Sequence, residues 1–584
     1  MKNLLLRRRS WQEIALLLMA FVLLVLAVVH LTNAVTTVAR YTLNHVFQDQ
    51  FRLNLRYLTV PFPLSIFELE NGHRPVLPGL ARWLELRYLA GATTIEFVSA
   101  WVSAAVAVVL VFVRCWSALD GPRRLMLLCA AATTVLWIAN ARMFIHAYEA
   151  THLFYIFGSL VVALYALSDE RDVTWSRVAT ACLAATFATF TFGPGIIVFG
   201  AVALLLVLRR VPWPMLATAV AAAGLVFAVY SFALPGSAGV RASSESVSLV
   251  QTSYFVVARM AAFWVELFAL SSASHSWQRS GIVLISAVVI ASTLLHAFRL
   301  WLTRQRLSPA MLMGLGILSF SVVTNALIAI NRTGHFQSIP EELFADRYLF
   351  WSALLWLGLA TYWLSVPQRS RNLSLIMALI IALEAGLAFG QGNWWRSWAS
   401  STYRVVELTS VAMQRSIAHD HRLQEVSGLD IPQVQASVDV MRKARVSTFA
   451  RDPGAWLGRS LVLSASAVEL PVAISVDTKD LPKNSPWEIL GGVMPRFDAH
   501  RLSGRELWVA NEGGTVIGQC AKTGLRTKST DYSRYFKPIY NQFDCYVQRG
   551  HNDKLILVAT RGETAQTVAK LQPIVRDTAF IPSK

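Results

Sequence analysis

Residues 14–31 read IALLLMAFVLLVLAVVHL, eighteen positions without a formal charge, and they follow Arg7, Arg8 and Arg9. A run of that length crosses a bilayer core as a helix, because about 20 residues at 1.5 Å each cover roughly 30 Å. The apolar part of a signal peptide usually holds about 7–15 residues, and no A-x-A cleavage site follows here, so the segment reads as a retained anchor with a cytoplasmic N-terminus. Similar blocks recur at 97–113, 125–139, 153–167, 178–192, 195–208, 215–234, 281–298, 311–330, 348–366 and 373–389. The expectation is a polytopic α-helical membrane protein with about 11 transmembrane helices.

Composition agrees. Of 584 residues, 55% are apolar and 15% charged, with a mean hydropathy of +0.46; a soluble chain is roughly 45–50% apolar and about 25% charged. Coiled coil, collagen and disorder are excluded as the main class. The net charge of +18 does not imply nucleic acid, because arginine sits in short clusters between the blocks: Arg123 and Arg124, Arg209 and Arg210, Arg304 and Arg306, Arg369 and Arg371. Alternating sides from an inside start puts all of them, with Arg171 and Arg177, on the cytoplasmic face. The first loop, 32–96, and the tail after Phe389 then lie outside. The four blocks between 125 and 208 hold about 15 residues each, within the range of re-entrant segments, and losing one pair preserves the sidedness.

Residues 248–270, carrying Arg259 and Glu266, read as an amphipathic helix at the outer interface; a twelfth span there would move Arg304 and Arg306 outside. From Gln391 the composition changes. Two helical stretches lead into short β-like runs such as SLVLSAS, RELWVAN and KLILVAT, punctuated by Gly, Asn, Asp and Pro. The division is therefore 1–390 as membrane domain and 391–584 as a C-terminal extracytoplasmic domain of α+β or β-sandwich type. Cys520 and Cys545 fit a disulfide closing about 25 residues, and no zinc-type Cys/His spacing exists.

Ionisable residues at the outer edge of a membrane domain are anchors or a site. Asp49, in NHVFQDQFRLNLRY, has Arg52 and Arg56 at helical spacing behind it. It could take a proton from an acceptor hydroxyl; a surface salt-bridged helix is the plainer reading. In ELENGHRPVLPGLARW the Asn-Gly pair and the prolines force a turn that presents Glu70, His73 and Arg74 together. In WIANARMFIHAYEATHLFY, Arg142, His146 and Glu149 fall on one helical face, a polar wall to a pocket rather than a metal site. The last outer loop, INRTGHFQSIPEELFADRYLFW, adds Arg332, His335, Arg347 and Tyr348; snorkelling and aromatic anchoring would account for the last two alone. TFGPG at 191–195 is a tight outer turn, open to close backbone approach or a simple hairpin.

The order of an outer-loop carboxylate, ENGHRPVLPGLARW, TFGPGIIVF, DRYLFW and a folded tail with RKARVSTFARDP resembles a large group of bacterial polytopic proteins that look like GT-C-type glycosyltransferases. The resemblance covers essentially the whole chain in weak, spaced motifs. It implies a GT-C-like fold, a catalytic base in the first outer loop, and a polyprenyl-phosphate-linked sugar donor. Asp49 matches the base position best, with Glu70 the alternate; His73, Arg74 and Arg347 would hold the donor phosphate. The usual tandem acidic pair is replaced by Gln-Asp-Gln, which leaves a divalent cation open and no other cofactor implied. The acceptor would be a cell-envelope glycan, lipid or protein, and the location the bacterial inner membrane with a periplasmic tail. Two rivals stand beside this: an O-antigen polymerase or ligase, and a transporter or flippase, for which Glu384 is the clearest intramembrane acid.

Overall fold

The computed structural model describes residues 11–234, 248–271, 275–366, 371–450, 456–461, 474–477, 481–482, 484–494, 506–523, 541–550, 555–561 and 564–571. Arg7, Arg8, Arg9 and Arg369 lie outside them, as do Arg451, Asp452 and Pro453 of the tail motif. The chain divides into two compact units: Met1–Thr36, Ile66–Ala81 and Ile95–Gly392 form the first, and Thr37–Ser65, Arg82–Thr94 and Asn393–Lys584 the second. The long first loop is shared between them.

In the first unit all eleven apolar blocks are helical, and among the described residues eight helices are long and apolar enough to cross a membrane. The protein is membrane-embedded. Three expected spans fall outside those eight, each for a visible reason. Trp175–Thr189 and Ile197–Leu208 are short, 15 and 12 residues, and are joined by the tight turn at Gly193–Ile196. Asp346–Ser365 is long enough, but Tyr348, Ser352, Thr361 and Tyr362 dilute its apolar character, and it is buried along most of its length. By contrast Leu18, Phe21, Leu225, Leu284 and Leu295 stand exposed on their helices, as lipid-facing side chains do.

Glycine sets the closest crossing. A Cβ on Gly314 would lie 2.6 Å from the Tyr362 backbone nitrogen, and one on Gly358 would lie 2.7 Å from that of Leu318. The Pro309–Asn331 and Asp346–Ser365 helices thus meet backbone to backbone, as small residues allow inside membranes. The amphipathic segment forms the helix Leu249–Leu267, but from Ala258 onward it is packed into the bundle rather than lying on its rim. Small residues at Ala258, Ala261 and Ala262 permit the approach, and the Phe263 backbone N–H donates to Ser352 Oγ at 2.9 Å.

The second unit holds one antiparallel sheet of seven described strands in the order β1-β2-β5-β4-β3-β6-β7. They are β1 Ile474–Asp477, β2 Trp487–Met494, β3 Glu506–Ala510, β4 Val516–Thr523, β5 Asn541–Gln548, β6 Leu555–Arg561 and β7 Thr564–Leu571. Side chains alternate between faces. Leu507, Val509, Leu555, Leu557 and Ala559 share one core, while Ile489, Ala521 and Tyr546 pack with Leu408, Val411 and Ala412 of the helix Gly392–Gln414. The expected alternative of helices on one sheet is therefore what the described residues form. Cys520 and Cys545 are register partners on β4 and β5 and are disulfide-bonded. First-loop residues complete this unit: Ser437 donates to the Phe51 carbonyl at 2.6 Å and Arg82 Nε to Asn54 Oδ1 at 2.9 Å.

Candidate functional site

The expected turn at Asn71-Gly72 is present. Both residues have positive φ, +49° and +79°, and Glu70 and His73 exchange backbone hydrogen bonds of 2.7 and 2.8 Å. Asparagine and glycine are the residues that tolerate such angles. Glu70 is buried and accepts a 3.0 Å hydrogen bond from the Tyr148 hydroxyl. Glu70, His73 and Arg74 are thus adjacent, yet they do different things.

Arg74 is fully buried. Its guanidinium donates to the carbonyls of Tyr230 at 2.7 Å, Phe67 at 2.8 Å and Leu234 at 3.1 Å. Tyr230 belongs to the π-helical turn Val229–Ala233 that ends a long apolar helix, and carbonyls at a helix end need such donors. The expectation that Arg74 grips a donor phosphate gives way to a fastening role, because its donors are directed at backbone.

His73 faces a ring stack. Its imidazole lies 4.5 Å from Phe192, Phe192 stacks on His152 at 4.6 Å and 11°, and His152 meets Tyr148 edge-on at 4.3 Å. A Cβ on Gly193 would fall 2.4 Å from His73 Nδ1, so the glycine of TFGPG makes room for this histidine. Burial, and then the charge of Arg332, pull the His73 pKa below its ordinary value. His152 Nε2 is buried without a hydrogen-bond partner among the described residues.

The loop between the Pro309–Asn331 and Asp346–Ser365 helices supplies positive charge. Among the described residues three guanidinium carbons lie over the Tyr348 ring: Arg347 at 5.0 Å, Arg259 at 5.2 Å and Arg332 at 5.5 Å. Arg259 is fully buried and donates to the carbonyls of Tyr348, at 2.7 Å, and Leu343. Arg347 pairs with Glu342 at 2.5 Å. Tyr348 Oη, Arg347 Nε and Arg259 Nε are buried without partners among the described residues. Arg332 is exposed, as is His335. Arg259 was missed as a site residue because on its own helix it read as one half of an amphipathic pattern.

Arg142, His146 and Glu149 do not share one helix. The Ala141–Ile145 helix ends at His146, which is extended at φ −114° and ψ 106° and heads the next helix, Ala147–Leu167. Arg142 instead reaches Asp346 at 3.2 Å, which ties this segment to the residue before Arg347. Glu149 and Glu342 add negative charge around Arg142.

Asp49 belongs to the second unit, whereas every residue of the ring stack and the arginine cluster belongs to the first. It heads the helix Gln50–Thr59 and pairs with Arg52 at 3.1 Å, both side chains more than two-fifths exposed. That is the surface salt-bridged helix, a pair of small energetic weight. Of the two candidate bases, Glu70 shares a unit with the arginines. Among the described residues no group of three or more His, Cys, Asp or Glu is placed to hold a metal ion. Compared with protein families, curated proteins and solved structures, the chain finds no match.

Proposed function

We propose that the protein is a GT-C-like membrane glycosyltransferase at the outer face of a bacterial inner membrane, passing a sugar from a polyprenyl-phosphate donor to a cell-envelope glycan, lipid or protein. The observation that carries this is Arg332 and Arg347 over the Tyr348 ring, held by Arg259, which donates to the carbonyls of Tyr348 and Leu343, with the charge of Arg332 extending to His73, whose turn also bears Glu70. Arginine forks match phosphate oxygens. Glu70, oriented by Tyr148, takes the proton of an acceptor hydroxyl. That oxygen bonds the anomeric carbon as the carbon–oxygen bond to the lipid phosphate breaks. The departing phosphate keeps the electron pair, and Arg332 and Arg347 stabilise its charge. The Cys520–Cys545 bond supports an oxidising compartment for the tail.

Transfer from a radiolabelled polyprenyl-phosphate sugar by the purified full chain tests the reading. Glu70→Gln should slow transfer by about 10²–10⁴-fold, the usual worth of a positioned base, while Asp49→Asn keeps wild-type transfer. A dead Asp49→Asn with an active Glu70→Gln would return the base to Asp49 and keep the enzyme. A chain that binds no polyprenyl-phosphate sugar would favour the transporter reading, for which buried Glu384 in Arg371–Gly390 is the supporting residue.

A further inference from the structure

The helix Ala147–Leu167 carries Tyr148 and His152 at one end. At its other end, 21 residues away and so roughly 30 Å, lies a feature that the transfer reaction does not use. An open cavity of about 330 Å³ is lined by Arg114, Tyr165, Ala166, Asp169, Arg171 and Arg177. Three arginines face one aspartate. Arg177 and Arg114 pair with Asp169 at 2.6 and 3.3 Å, and Arg114 lies 4.0 Å over the Tyr165 ring. A fourth arginine, Arg209, holds the loop by donating to the carbonyls of Asp169 and Arg171. Burial acts the other way, but the Arg177 hydrogen bond and the Arg114 charge hold the Asp169 carboxyl below its ordinary range. The exposed acids Glu170 and Asp172 are not among the lining residues.

Asp169 does not satisfy this cluster. Arg114 Nε and Arg177 Nη1 are buried without partners among the described residues, and Arg171 is exposed at the rim. Trp116 and Trp175, 50% and 53% exposed, flank the cavity in sequence, next to Arg114 and Arg177. Exposed tryptophans at the ends of apolar helices mark headgroup depth. Basic pockets between helix ends take phosphate-bearing groups, and guanidinium forks bind phosphate oxygens better than point charges do.

We propose that the Arg114–Arg171–Arg177 cavity is a binding site for a phosphate group, supplied by an anionic phospholipid headgroup, at the end of the bundle opposite the Glu70–Tyr348 site. Asp169 occupies the arginines when the phosphate is absent. The site is independent of the glycosyltransferase reading, because it shares no residue with that machinery.

The test uses the full chain in detergent micelles doped with phosphatidylglycerol or phosphatidylcholine, with retained lipid read by native mass spectrometry. A lipid-free sample is titrated with inorganic phosphate by calorimetry. One phosphatidylglycerol should be retained in preference to phosphatidylcholine. Arg171→Gln, which leaves both Asp169 ion pairs in place, should weaken retention about fivefold, the worth of one arginine near a charged surface. Asp169→Asn removes the rival carboxylate, so protein that elutes as wild type should retain phosphatidylglycerol more tightly. A merely structural pair predicts the reverse. Inorganic phosphate bound without lipid preference would keep the site and assign it to the free ion. Equal retention of both lipids with no phosphate binding, or equal loss from Arg304→Gln outside the cavity, would overturn the proposal.

Discussion

At the scale of single residues, two positions decide how far the proposed site holds together. His73 and Arg332 lie on loops far apart in sequence, and Arg332 adds to the burial that lowers the His73 pKa. The imidazole should therefore titrate below its ordinary value of about 6.5, and Arg332→Gln should move its midpoint back upward. Histidine NMR, with His73→Gln identifying the signal among the 12 histidines, checks this; an unmoved midpoint would separate the two loops. A lowered folded pKa means that stability tied to neutral His73 is complete above the unfolded value and shrinks as pH falls toward the folded one. Arg74 shows what one sequence conceals. Beside Asn-Gly and His73 it reads as a phosphate ligand, and nothing local reveals that carbonyls 156 and 160 residues away will take its donors.

At the scale of elements, the crossing of Pro309–Asn331 over Asp346–Ser365 is an exacting contact between helices. Side chains cannot enter it, since a Cβ on Gly314 or Gly358 already falls within 3 Å of facing backbone. Gly358→Val should cost about 1–3 kcal/mol or more, the range for overpacking a close contact, read as a lower unfolding temperature in detergent. Gly386→Val, where an added Cβ meets nothing within 4 Å, should change it little. The helices themselves were legible because long apolar blocks announce them without any periodicity. Burial of Asp346–Ser365 inside the bundle was not, because a helix facing protein on all sides looks much like one facing lipid.

At the scale of the whole molecule, the sidedness we propose, with an inside N-terminus and an odd number of crossings, would put the tail outside. Alkaline phosphatase fused after Gly392 should be active, and non-reducing peptide mapping should recover Cys520 linked to Cys545; a silent fusion there would reverse the sidedness. The change of character near Gln391 could be read from composition, whereas the division of the first loop into three alternating segments could not, since their partners are distant in sequence. That division carries a cost in time. Phe51 and Asn54 are buried against the helix Ile431–Ala444, and the Ser437 bond to Phe51 closes a separation of 386 residues. At about 5–20 residues per second of synthesis, those early segments wait roughly 20 to 80 s for the chain that will cover them. During that interval the ribosome has delivered a membrane bundle whose first loop is still unfinished, and a stalled or truncated product would leave it so.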